Sequence, residues 1–195
     1  MATIPYANDS TKFFLYAVNI LLQSINELPV NDDTQLAEII EAQLAAQVLE
    51  ETKKEVLSEG WDVATDEDWE FMPDAEGYIS LPANILDISD RQGRFFMRDW
   101  KLYDKRNKTF KFEDKVKCDV VWDLDFNSLT HPLRYYITIK ASRTFQYRQV
   151  GDQLQYQFSE DDMNQAYLNA KTSEDFTGKY SFRDGEYGLT FGRSN

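Results

Sequence analysis

Leu133-Arg-Tyr-Tyr-Ile-Thr-Ile-Lys-Ala-Ser-Arg-Thr-Phe-Gln-Tyr-Arg148 is the segment on which the fold turns. At helical spacing Leu133, Ile137, Ala141, Phe145 and the stem of Arg148 share one stripe, while Arg134, Lys140 and Arg143 project elsewhere. Pro132 suits the first position of a helix, where its missing N–H costs nothing. The Tyr-Tyr-Ile-Thr-Ile run would suit a strand equally, so the local pattern leaves both open. The segment gathers four cations in a chain of formal charge −13, and acidic groups should sit against it. The arginine fork binds carboxylates bidentately, which puts Arg143 and Arg148 ahead of Arg134 and Lys140 as candidates for a subunit interface. Pairing with acids of the same chain is the competing reading for each of the four.

Working outward, a first helix is expected over Thr11 to Ile25, capped by Asp9 or Ser10 and closed before Pro29, with Phe14, Val18, Leu21, Leu22 and Ile25 on its apolar face. A second is expected over Asp33 to Glu59, capped by Asp32 or Asp33 and stopped by Gly60, with a seam of Leu36, Ile40, Leu44 and Val48 and a Glu50–Lys54 pair. The two should pack as a hairpin. From Trp61 to Asn127 the period becomes two: Val116, Cys118, Val120, Trp122 and Leu124 alternate with polar neighbours. Shorter runs at 78–81, 85–88, 94–97, 101–103 and 109–112 are separated by turn residues. His131-Pro132 returns the chain to a helix, and Ser159-Glu-Asp-Asp162 opens another that ends near Phe176. The expected fold is α+β: an antiparallel bundle of about four helices over 1–60 and 128–176, a small antiparallel β domain inserted over 61–127, and an extended tail over 177–195.

Composition narrows the function classes. A chain of 195 residues is long enough for one domain or two small ones. Cys118 is the sole cysteine, so no intrachain disulfide forms and an oxidising compartment is not implied. The first residues, Met-Ala-Thr-Ile-Pro-Tyr, do not read as a secretion signal, and the apolar stretch from Phe13 to Leu22, broken by Tyr16 and Asn19, is too short to span a bilayer. Net acidity argues against a module that grips nucleic acid, and no basic stripe with exposed stacking aromatics is read here. An acidic wall would repel phosphates over about 8–10 Å in physiological salt, so the charge permits a conduit, and it equally suits a protein that acidity merely keeps in solution.

Candidate chemistry is thin. Asp123 and Asp125, two apart on an expected strand, could form a carboxylate pair for glycoside hydrolysis, but alternation assigns them to the solvent face. His131, the only histidine, precedes a proline at a helix start and is expected in a turn or cap. Cys118 should be an inert core thiol. No phosphate-binding glycine loop is present, and one histidine with one cysteine cannot make an ordinary zinc site. No catalytic residue, cofactor or metal is expected.

The opening segment, with others in the same order, resembles the tail tubular protein A family of short-tailed bacteriophages. The stretch from Ala17 to Val30 is similar to that family's first helix and its exit, and Ser58-Glu-Gly-Trp61 to the end of its second. The stretches 81–86, 101–110 and 120–126 are similar to its middle, mostly β portion. The likeness runs from about residue 10 to residue 150 and weakens afterwards. It implies a structural head-to-tail adaptor without catalytic activity: a homo-oligomeric, dodecameric ring below the portal protein. The ring would continue the DNA channel to the tail nozzle protein, tail tubular protein B, without binding DNA specifically. Tail fibres would attach outside, in a virion tail assembled in the host bacterial cytoplasm. Beyond the likeness, Tyr180, Phe182, Tyr187, Leu189 and Phe191 alternate between glycines and suit a strand that docks on a portal or neighbouring-subunit sheet edge. Two competing classes are a virion-associated glycan hydrolase using Asp123 and Asp125, and an acidic binding protein that mimics DNA charge.

Overall fold

The computed structural model describes residues 11–151 and 158–179, and the fold is α+β. The described residues divide into two compact units, one with those up to Leu49 and those after Asp125, the other Glu50–Asp125.

The ambiguous segment is a helix. In the first unit, α4 (His131–Val150) starts with His131 and Pro132 in its first turn and stops at Gly151, whose φ of 71° lets its N–H reach the Tyr147 carbonyl at 3.0 Å. It is buried on more than the expected stripe, since Tyr136, Thr138, Ile139, Ser142 and Gln146 join Leu133, Ile137, Ala141 and Phe145 inside. The reason is that α1 (Thr11–Ser24) and α5 (Glu160–Lys179) both pack on it. From α1 come Ala17, Val18, Leu21 and Leu22; from α5, the small residues Ala166 and Ala170, which let the two helices approach closely. Asn19, which interrupts the apolar face of α1, donates to the Val30 carbonyl and accepts from the Val30 N–H, both at 2.8 Å. It thereby pins the chain where it leaves the helix through Asn26, at φ 62°. The start of α5 is a capping box: Ser159 Oγ accepts from the Asp162 N–H at 3.1 Å while Asp162 Oδ2 accepts from the Ser159 N–H at 2.9 Å.

Several expectations fail here. The second helix is two: α2 (Asp33–Glu38), capped by Asp32 through its bond from the Gln35 N–H at 2.9 Å, and α3 (Ile40–Leu57). Ile39 lies between them in extended conformation, φ −96° and ψ 118°. Adjacent β-branched residues, Ile39-Ile40, weaken the helix there without glycine or proline to announce it. The seam moves accordingly. Ile40 and Leu44 are exposed, and Ala42, Ala45, Val48 and Leu49 form the buried row. The helical hairpin is not formed either, because α1 packs chiefly on α4 and the 3-10 turn Phe126–Ser128. Finally, α5 continues through Gly178 to Lys179 rather than ending near Phe176.

The second unit holds two antiparallel sheets rather than one. The first has the order β1-β5-β2, from β1 (Thr65–Phe71), β5 (Val116–Trp122) and β2 (Ile85–Ser89). The second is a ribbon of β3 (Phe95–Arg98) and β4 (Lys101–Asp104) joined by Asp99-Trp100. Strand β1, Thr-Asp-Glu-Asp-Trp-Glu-Phe, escapes a propensity reading because acids are rare in strands. The expected strands at 78–81 and 109–112 are only isolated bridges, Tyr78 to Lys111, Ser80 to Lys101 and Asp104 to Thr109. Val116, Cys118 and Val120 face a core with Phe71, Ile79, Leu81, Ile85, Ile88 and Leu102.

Candidate assembly surfaces

The cations of α4 are placed as follows. Arg134 spends its guanidinium on the chain that enters the helix: Nη1 donates to the carbonyls of Asn127 at 2.9 Å and Leu129 at 2.7 Å, and the group stacks 4.0 Å from the Phe13 ring centroid. Burial draws its pKa below the ordinary guanidinium value. Arg143 Nη1 donates to the Phe158 carbonyl at 2.7 Å, tying α4 to the residues that lead into α5. Lys140 lies 5.9 Å from the Tyr136 ring, and Arg148 is exposed in the last turn. Backbone carbonyls thus take both bonds of Arg134 Nη1 and the Arg143 bond toward α5. Residues Tyr180, Phe182, Tyr187, Leu189 and Phe191 lie outside the described residues.

Of the two carboxylates expected on a solvent face, Asp125 is exposed and Asp123 is not. Strand β5 ends at Trp122, so Asp123 and Asp125 lie beyond it. Asp123 is only 19% exposed at its side chain and meets Lys53 at 3.0 Å and Lys54 at 3.5 Å. Lys53 is itself 6% exposed and bridges to Glu50 at 2.8 Å, so Glu50 pairs three residues on rather than with Lys54. Burial alone would push the Lys53 pKa down, but Glu50 and Asp123 together outweigh it and raise the value. Both Asp123 oxygens are engaged by ammonium groups rather than open to a substrate, and the arrangement joins the second half of α3 to the end of β5 inside the second unit.

Cys118 is buried on the core face of β5, and burial, followed by the nearby Asp90 and Asp119, pushes its thiol up to about 12. A thiol-specific reagent at neutral pH should label it more than about a hundredfold slower in native protein than in urea-unfolded protein, since only the thiolate reacts. Labelling at comparable rates would show that the strand opens. No group of three or more acids, histidines or cysteines able to hold a metal occurs among the described residues, and none of their helices is long and apolar enough to cross a membrane.

One surface contradicts the expectation that the chain carries no basic, aromatic stripe. Residues 91–117 contain ten of the 21 lysines and arginines and four acids, a net charge of +6 in a chain of −13. The cations interleave with rings: Arg94 stands 4.7 Å from Phe95, Arg98 4.1 Å from Tyr103, Lys101 4.5 Å from Tyr78 and Lys105 5.1 Å from Phe96. The ribbon tip is exposed at Trp100, where both turn residues have positive φ, 53° at Asp99 and 56° at Trp100. Such a two-residue turn matches the twist of a hairpin but normally takes Asn-Gly. Beneath the ribbon, Asp104 Oδ2 accepts from Arg94 Nε at 2.9 Å and Nη2 at 2.6 Å, and both its oxygens accept from Asn107. Arg94's hydrogen bonds hold the Asp104 carboxyl below the usual carboxylate range despite its burial. Summing charge segment by segment would have exposed this surface; the whole-chain total hides it.

Comparison with known proteins bears on what such surfaces serve. Residues 15–180 match the family described as Tail tubular protein. The chain is also similar to the Tail tubular protein A of Klebsiella phage KP34, 32% identical over 118 residues. That alignment covers 59% of this chain and 61% of the relative, so it spans about three fifths of the relative's length.

Proposed function

Because this chain belongs to the tail tubular protein family of bacteriophage tails, matched over residues 15–180, we propose that it is the structural adaptor between portal and tail. Copies form a dodecameric ring beneath the portal protein, continue the DNA channel to the nozzle protein (tail tubular protein B) and give tail fibres a place to attach. The β-rich unit serves as an inserted domain of that adaptor. Its assembly precedes release, in the bacterial cytoplasm. The extent of the family match carries the reading, and two structural observations support it. The carboxylates of the hydrolase alternative do not form an open pair, and charge is sorted into segments of opposite sign, which suits repeated contacts between copies. Arg143 and Arg148 remain the first candidates on α4 for such contacts, with Lys140 and Arg134 after them.

The test is co-assembly with purified portal protein, followed by electron microscopy. Full-length chain is expected to give a ring co-axial with portal. A chain ending at Lys179, which keeps α5 whole and removes the alternating aromatics, is expected to stay folded and lose portal attachment. No portal-bound ring from the full chain would overturn the adaptor reading. Attachment by the shortened chain would remove only the docking role of residues 180–195.

A further inference from the structure

The outer face of the β3–β4 ribbon sets two cations directly opposite each other, Arg98 across from Lys101. Like charges at such a position repel, and among the described residues neither has a carboxylate at ion-pair distance. Each lies over a ring instead, Arg98 over Tyr103 and Lys101 over Tyr78, and Lys105 over Phe96 continues the row. Rings hold these cations in place without neutralising them, so the face is organised and still lacks an anion.

The complement occurs in the same unit. Residues 61–76 carry seven acids and no cation. Asp66, Glu67, Asp68 and Glu70 are exposed along β1, which ends the order β1-β5-β2 and so has one edge with no strand beside it among the described residues. Internal pairing uses only part of this charge: Glu70 meets Lys115 and Lys117, and Asp68 meets Arg91 at 3.9 Å.

We propose that the cationic ribbon face of one copy docks on the acidic β1 edge of a second copy, a heterologous contact that repeats head to tail. The inference rests on the adaptor reading and gives it a contact between neighbours. A second copy fits better than nucleic acid for two reasons. The rings of Tyr78, Phe96 and Tyr103 already carry a cation on a face that stacked bases would need. Outside residues 91–117 the chain carries −19, which opposes a polyphosphate.

Sedimentation of the full chain at about 50 mM and about 500 mM salt tests the contact. Wild type is expected to associate, more weakly at high salt. A ribbon variant, Lys105→Glu, and an edge variant, Glu67→Lys, should each associate at least about tenfold more weakly alone. Mixed in equal amounts they should associate again, because each reversed face then meets its complement, a recovery that misfolded proteins would not show. Arg98→Gln, a milder change, should weaken association while leaving the melting transition in place. Wild type that is monomeric at both salts, or a mixture that fails to recover, overturns the contact while portal co-assembly decides the adaptor reading separately. Duplex DNA retention that depends on the ribbon, with self-association unaffected by the variants, would assign the face to nucleic acid and overturn it as well.

Discussion

Asp104→Ala is expected to lower the free energy of unfolding by about 3 kcal/mol, measured by urea denaturation. The carboxylate is 1% exposed and receives two bonds from Arg94 and two from Asn107, while its backbone exchanges bonds with Thr109 at 2.9 and 3.2 Å. Alanine leaves three side-chain donors and the Asn107 backbone N–H without their acceptor and opens space beneath the ribbon. Arg94 is 35% exposed, so water recovers part of the loss, which keeps the figure at the lower end for a broken buried pair. The effect should depend on pH with a definite sign. The folded Asp104 carboxyl has a depressed pKa, so its contribution is complete above the unfolded value of about 3.9 and disappears as pH falls through the lower folded value. Wild type and Asp104→Ala should therefore converge in stability in strong acid and differ most near neutrality. A difference below about 1 kcal/mol at pH 7 would mean that the ribbon is not held by this residue.

The second large effect is at the buried ammonium. Lys53→Ala should cost about 3 kcal/mol, because it removes a packed stem and leaves Asp123 with the more distant Lys54, whereas Lys53→Met strands Asp123 in the same way but keeps the stem and should cost about 2 kcal/mol. Asp123→Ala, which strands Lys53 with Glu50 alone, should cost about 2 kcal/mol. The folded pKa of Lys53 is raised, so its ionic contribution is complete below about 10.4 and is lost as pH climbs through the higher folded value. Equal costs for the alanine and methionine variants would show that charge, not packing, decides the site. Asp123→Asn together with Asp125→Asn should change stability without abolishing any glycan-degrading activity, and a tenfold loss of hydrolysis in folded protein would revive the carboxylate-pair reading.

Residue pattern reached some of this molecule and missed other parts for identifiable reasons. Capping is local chemistry, so Asp32 and the Ser159–Asp162 box were legible, as was the alternation of Val116, Cys118 and Val120. The break at Ile39 has no punctuating residue, and β1 is a strand because Val116–Val121 supplies a partner, not because its acids favour one. Asp123 looked solvent-facing because alternation was extended past Trp122, where the strand stops. The α4 cations stand out because one helix carries them all, whereas the denser cluster at 91–117 is spread over several short elements.

The two sheets of the second unit also differ in how they can form. The β3–β4 ribbon closes through two residues, and hairpins of that kind form in about 1–10 µs. The β1–β5 pairing joins Thr65 to Val121 and Phe71 to Val116, with most of the unit's chain intervening, so loop closure delays it. During refolding the ribbon should therefore precede the three-stranded sheet, and until β5 is paired the Cys118 thiol stays accessible. Pulsed labelling of that single thiol would then act as a clock for the late, non-local step, with no cysteine needing to be introduced.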